Sequence, residues 1–256
     1  MTFAKFFKAT ILTLLFVTSI SFVYGQFSGG GHVGANMGNL RGSSVTNNSP
    51  IVGINIGGFV NYGMKDILTG DIADRLSIQV ELNIETKGAE LDYVFYDTRD
   101  TSKQTLTDPT IIKQNFTYVV VPMLVKYTTE EKNNISFYGE AGPYMAGLFG
   151  LRFDGEVSRD NDLSNKIAEV RKYRDDYSGF DFGFTAGAGI NYRLPFGGRR
   201  QPFTGFANVR YSLGLNNVGQ IKEKTNDIPE FMLDDIKTNT ISIGIGISYR
   251  IPIRRR

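Results

Sequence analysis

Catalysis near neutral pH needs a nucleophile beside a base, or several ligands converging on a metal, and this sequence offers little of either. It contains no Cys and one His, His32. Without Cys there is no disulfide framework, thiol nucleophile or thiolate metal site. His32 stands in a Gly-rich stretch near the amino end and reads as an exposed terminal residue rather than the base of a Ser triad. Asp175-Asp176 and Asp234-Asp235 carry oxygen ligands that suit a hard cation, but adjacent acids in charged stretches read first as solvated loop residues. Gly187-Ala-Gly189 resembles half of a phosphate loop, yet no helix follows it. Arg254-Arg255-Arg256 reads as a polar tail, or as a contact for anionic head groups. No catalytic residue, metal site or cofactor is assigned, and the expectation is a protein that is not an enzyme.

The other charges are spaced quite differently. They occur singly, at alternate positions of segments whose intervening residues are apolar. The last such segment, 240–251, shows the rule. Ile241, Ile243, Ile245, Ile247, Tyr249 and Ile251 alternate with Thr240, Ser242, Gly244, Gly246, Ser248 and Arg250. A strand sends successive side chains to opposite faces, so this one has a greasy face and a wet face. In 76–87, Leu76, Ile78, Val80, Leu82 and Ile84 oppose Ser77, Gln79, Glu81, Asn83, Glu85 and Lys87. The same parity across the chain puts Glu81, Glu85, Lys87, Lys126, Glu140, Asp181, Arg193, Arg210 and Arg250 on the wet side. It puts Ile78, Val80, Leu82, Ile241, Ile243, Ile245, Ile247 and Tyr249 on the greasy side, facing lipid.

Eight segments fit a strand: 32–40, 52–62, 76–87, 115–127, 135–147, 180–193, 203–213 and 240–251. The fourth is apolar on both faces through Val119-Val120-Val121, and alternation alone does not identify it. The connections 128–134 and 194–201 are short, whereas 88–114, 148–179 and 214–239 each exceed twenty residues. Short turns at one end and long loops at the other is the asymmetry of an outer-membrane barrel. Two connections fit it less well: 41–51 is only moderate for a loop, and 63–75 is long for a turn. Residues 163–174 carry apolar positions at helical spacing and predict a helix within one long loop; a weaker turn is expected at 230–236. The expected fold is all-β, an eight-stranded antiparallel up-and-down transmembrane β-barrel with long extracellular loops.

Eight strands enclose room for their own side chains or one small ligand, and wide pores need about sixteen. The inward acids and bases are therefore expected to pair and fill the lumen, with a narrow path for ions or small solutes as the alternative. Inward Gly183, Gly187, Gly189, Gly244 and Gly246 make space for inward Tyr138, Tyr144 and Phe206.

Residues 1–25 read as a secretory signal peptide, with Lys5 and Lys8 before an apolar run and cleavage near Gly25-Gln26. Residues 26–256 then form the barrel domain. The two leader lysines account for the formal net charge of +2, so the remainder is neutral and nothing asks for nucleic acid.

Four motifs carry a family resemblance. Tyr118-Val-Val-Val-Pro-Met-Leu-Val-Lys-Tyr127 resembles the "Tyr-x-x-Ile-Pro-Leu-Leu-x-Lys-Tyr" strand of PorT-like outer-membrane β-barrel proteins, also grouped as porin family proteins. Phe137-Tyr-Gly-Glu-Ala-Gly-Pro-Tyr144, Asp181-Phe-Gly-Phe-Thr-Ala-Gly-Ala-Gly189 and Gly34-Ala-Asn-Met-Gly-Asn-Leu40 resemble other strands of that family. The resemblance runs in order over residues 31–251 and brings no catalytic residues with it. It implies an outer-membrane barrel embedded in lipid and inserted by the β-barrel assembly machinery. For the family's namesake it implies a part in the type IX secretion system, so secretion components are the expected partners, with the long loops as docking surface. The chain departs from the usual terminal aromatic by ending Ile251-Pro-Ile-Arg-Arg-Arg256, with Tyr249 its last aromatic residue.

Overall fold

Alternating apolar and polar residues form a ladder that has nowhere to end except on itself. In the computed structural model, β1 (Phe27–Arg41), β2 (Asn48–Gly63), β3 (Leu76–Tyr93), β4 (Thr110–Thr128), β5 (Ile135–Gly155), β6 (Phe180–Arg193), β7 (Phe203–Gly214) and β8 (Lys237–Arg250) form a closed barrel in sequence order. The structure describes residues 27–42, 45, 48–70, 72–93, 110–155, 178–196, 203–219 and 235–251. The leader at 1–25 and the helix expected at 163–174 lie outside them, as does most of the turn expected at 230–236. Every neighbouring pair is antiparallel, and β1 closes on β8 with Val33 opposite Ile245 and Ala35 opposite Ile243. Closure leaves no unpaired sheet edge, which lipid would not tolerate.

An even strand count brings both chain ends to one end of the barrel. That end, called the inner end below, also holds the connections 64–75, 129–134 and 194–202. The connections 94–109, 156–179 and 215–236 are at the outer end, as the loop lengths predict.

The strands outrun their predicted limits, most of all beside the long loops. β3 continues to Tyr93, β4 starts at Thr110 and β5 continues to Gly155, so part of each supposed loop is paired strand. Gly88 pairs with Asn115 and Leu91 with Ile112, in a stretch whose sequence does not alternate. At about 3.3 Å per residue and a tilt near 40°, such strands stand well past a membrane band about 25 Å tall. One side of the barrel therefore rises higher than the rest. β1 begins earlier than expected too, at Phe27, because Phe27–Gly31 pairs with β2 and β8 despite its run of glycines.

Ile241, Ile243, Ile245, Ile247 and Tyr249 are exposed on the outer wall, joined by Ile78, Leu82 and the half-buried Val80. Arg210 and Glu81 point inward and are buried. β4 is apolar on both faces because Phe116, Tyr118, Val120 and Leu124 fill the lumen while Met123 and Val125 meet the outside. The inward glycines also make the predicted space. A Cβ on Gly189 would lie 2.4 Å from the Tyr138 ring, and one on Gly246 would lie 2.4 Å from the Phe206 ring.

Candidate functional site

Among the described residues, charged side chains converge in the lumen, which is built in levels. Halfway up, β3, β5 and β7 contribute Glu81, Glu140 and Arg210. Arg210, Gly187 and Glu140 are in register across β7, β6 and β5. Gly187 has no side chain, and a Cβ there would sit 2.7 Å from Arg210 Cγ, so the arginine can lie across β6. Its Nε donates to Glu140 Oε1 at 2.5 Å. Its Nη1 and Nη2 donate to Glu81 Oε2 and Oε1 at 2.6 and 2.7 Å, a fork-to-fork pair spanning the lumen. Gln79 Nε2 and Asn83 Nδ2 donate to the same Glu81 carboxylate at 2.6 and 2.9 Å. Lys126 Nζ lies 4.0 Å from Glu140 Oε2 and 3.5 Å from the centre of the Tyr138 ring. All three charges of the central group are buried, so each depends on the others in a region of low dielectric.

Toward the outer end, Lys87 Nζ lies 3.7 Å from Asp181 Oδ2 and 4.4 Å from the Tyr144 ring centre. Tyr144 OH and Thr238 Oγ1 donate to that Asp181 oxygen at 3.2 and 2.8 Å. Glu85 accepts from Asn55 Nδ2 at 3.3 Å, and Asn55 Oδ1 is 3.2 Å from His32 Nε2. His32 is thus no exposed terminal residue. It belongs to β1, is buried, and faces the lumen, because the strand begins before it.

Above these charges lies an apolar cap of Leu40, Ala89, Phe116, Leu148, Val218 and Ile236. Val218 and Ile236 come from the two described ends of the β7–β8 connection, tied together by Val218 N donating to Ile236 O at 2.7 Å, with Ser178 N donating to Val218 O at 2.8 Å. Reading for charge missed this cap. The available signal was parity, since Phe116 and Val120 share the inward phase of Lys126.

Toward the inner end the lumen opens into a cavity of about 690 Å³. Phe59, Gln79, Lys126 and Phe206 line it, with Ser28, Ser136 and Asn191 nearer the mouth. Arg193 and Arg250, expected inside, stand at this rim because each is the last residue of its strand. Arg193 pairs with Glu131 at 2.5 Å with about a third of its side chain exposed, and Arg250 is exposed. Glu81, Glu85, Lys87, Lys126, Glu140, Asp181 and Arg210 lie inside the lumen, in two groups.

Among the described residues no three of His, Asp or Glu converge as a metal site would require. Asp175-Asp176 lies outside those residues, and Asp235 accepts from Lys237 Nζ at 2.7 Å. Gly187 and Gly189 sit in mid-strand in β6.

The model of the outer membrane protein beta-barrel domain family matches residues 21–220. No curated protein matches. Among solved structures, the outer membrane protein OprG of Pseudomonas aeruginosa is similar at 12% identity, with 90% of this chain and 97% of that one covered and a TM-score of 0.48. The outer membrane protease OmpT of Escherichia coli is similar at 10% identity over 90% and 99%, TM-score 0.40. Ail, the attachment invasion locus protein of Yersinia pestis, is similar at 14% identity over 88% and 99%, TM-score 0.35.

Proposed function

Since the chain belongs to the outer membrane protein beta-barrel domain family, we propose that it is a closed, non-enzymatic outer-membrane barrel that acts as a scaffold accessory to protein secretion. The observation that supports the closed reading is the filling of the lumen by the described side chains. The Arg210–Glu81–Glu140 group bridges its middle and the Leu40–Phe116–Ile236 cap covers its outer end. The cavity lies on the inner side of that central group and opens at the inner end, which favours a recess over a path. With the middle of the lumen occupied, partner docking is placed on the loops at the outer end rather than inside the barrel. The secretion role itself is supported by the PorT-like motifs of β1, β4, β5 and β6.

Two experiments test the two halves of this reading. Purified protein in a planar bilayer is expected to give no discrete conductance steps. Steps that change size on Glu81→Ala or Arg210→Ala would replace the scaffold with the narrow channel. For docking, deletion of 159–173 from the β5–β6 connection is expected to leave membrane insertion intact while weakening the recovery of partners that co-purify from detergent-solubilised membranes. Equal recovery with and without that segment would remove docking by this loop.

A further inference from the structure

The connection between β2 and β3, residues 64–75, is the long turn at an end where turns are usually short. Its described residues are held by hydrogen bonds. A 3-10 turn runs over Met64–Asp66, with Ile67 N and Leu68 N donating to Met64 O at 3.0 and 2.9 Å. Ala73 N donates to Gly70 O at 2.9 Å, and Gly70 has a φ of +111°, a turn conformation that suits glycine. Lys65 and Asp74 tie its two limbs together at 3.3 Å. Ala73 is the buried anchor. Yet Ile67, Leu68 and Ile72 are 60, 43 and 65% exposed. The β4–β5 connection at the same end, Thr129-Glu-Glu-Lys-Asn-Asn134, has no apolar residue at all. Three large aliphatic side chains held outward on a pinned turn mark a contact surface.

Its position says what covers it. The turn leaves β2 directly after Tyr62, whose ring packs on Phe27 at 4.9 Å. Paired aromatics at strand ends mark the head-group level of a barrel's membrane band. The half-buried Met64 opens the 3-10 turn straight after a strand whose outward residues are Ile54, Ile56, Val60 and Tyr62. At about 2 Å per residue for such a turn, Ile67 is within about 10 Å of Tyr62. The interfacial zone on each side of the hydrocarbon is about 5–8 Å deep. The aliphatic patch therefore starts a few residues from the lipid-facing wall, on the inner side of its aromatic level.

We propose that 64–75 is an interfacial foot, with Ile67, Leu68 and Ile72 sunk into the head-group boundary of the adjoining leaflet and the Lys65–Asp74 pair toward water. The foot holds the barrel's depth and tilt on the β2–β3 side, as amphipathic surface segments do.

The chain has no Cys, so single-cysteine variants report one position each. Ile67→Cys and Ile72→Cys, labelled with bimane, would be placed in phosphatidylcholine nanodiscs, which leave both membrane faces open to solvent. Lys132→Cys on the polar turn and Ile243→Cys on the wall serve as references. Bromines on the lipid acyl chains are expected to quench positions 67 and 72 roughly twofold or more beyond position 132, with aqueous iodide giving the reverse order. Quenching at 67 and 72 that matches position 132 with both agents overturns the foot and leaves the patch to a protein partner. Folding of each variant is read from its heat-modifiable gel mobility, and Leu68→Cys replaces a variant that fails.

Discussion

Arg210→Met is expected to lower the unfolding free energy of the barrel by about 3–5 kcal/mol, the usual cost of removing one member of a buried ion group. The loss comes less from the contact than from what it leaves behind. Glu81 and Glu140 are both buried, and in the native lumen each is neutralised by the same guanidinium. Without it, Lys126 remains near Glu140, but among the described residues no other cation is in ion-pair contact with Glu81, whose other hydrogen-bond partners are the amides of Gln79 and Asn83. The double variant Arg210→Met/Glu81→Gln should recover most of the loss, because replacing a buried pair by neutral groups of similar size is often nearly neutral. Urea unfolding in lipid vesicles, followed by circular dichroism because the chain has no Trp, checks both. A single variant within about 0.5 kcal/mol of the parent would mean that water rather than Arg210 solvates these carboxylates.

The physical basis of what the sequence discloses is uneven. Along β8 and the first half of β3, lipid on one side and a polar lumen on the other impose a strict period of two, so strand, phase and face can be read together. β6 ends where expected for the same reason, and Gly187 and Gly189 fall inward with it. Beyond the membrane band that pressure disappears. Gly88-Ala-Glu-Leu91 and Leu148-Phe-Gly-Leu151 have no lipid to sort their side chains, and their pairing with β4 comes only from ladder continuity. His32 was misplaced because Gly29-Gly-Gly31 resembles a loop, whereas the glycines there fit close backbone approach: a Cβ on Gly30 would lie 2.1 Å from Ile247 O. Of the site, the identity of the inward charges was legible, but their grouping was not. Arg210 reaches Glu81 across the lumen from β7 to β3, a contact that depends on barrel closure and on the absence of a side chain at Gly187. The cap was hidden for a different reason, since Val218 and Ile236 lie in a connection with no periodicity.

Ile243→Lys is expected to cost about 2–4 kcal/mol, the price of a cation at the bilayer midplane. The depth follows from the strand itself. Tyr249, packed on Phe203 at 5.1 Å between ring centres, marks the inner aromatic level. A tilted strand climbs about 2.5 Å per residue, so half of a band about 25 Å tall is spanned by about five residues before Tyr249, back to Gly244. Ile243 therefore sits at the middle of the apolar band, with Val209 and Ala35 as its cross-strand neighbours and no polar residue beside it on that face. A lysine there must stretch toward the interface or bring water inward. The same substitution at Ile251, exposed beyond Tyr249, is expected to cost about 0–1 kcal/mol because the ammonium is already among head groups. Urea titration of both variants refolded into vesicles gives the difference directly. The gradient between the two positions is the quantity that matters, because an aqueous sandwich with Ile243 on its solvent face would show none. Equal costs at 243 and 251 would take the outer wall out of lipid.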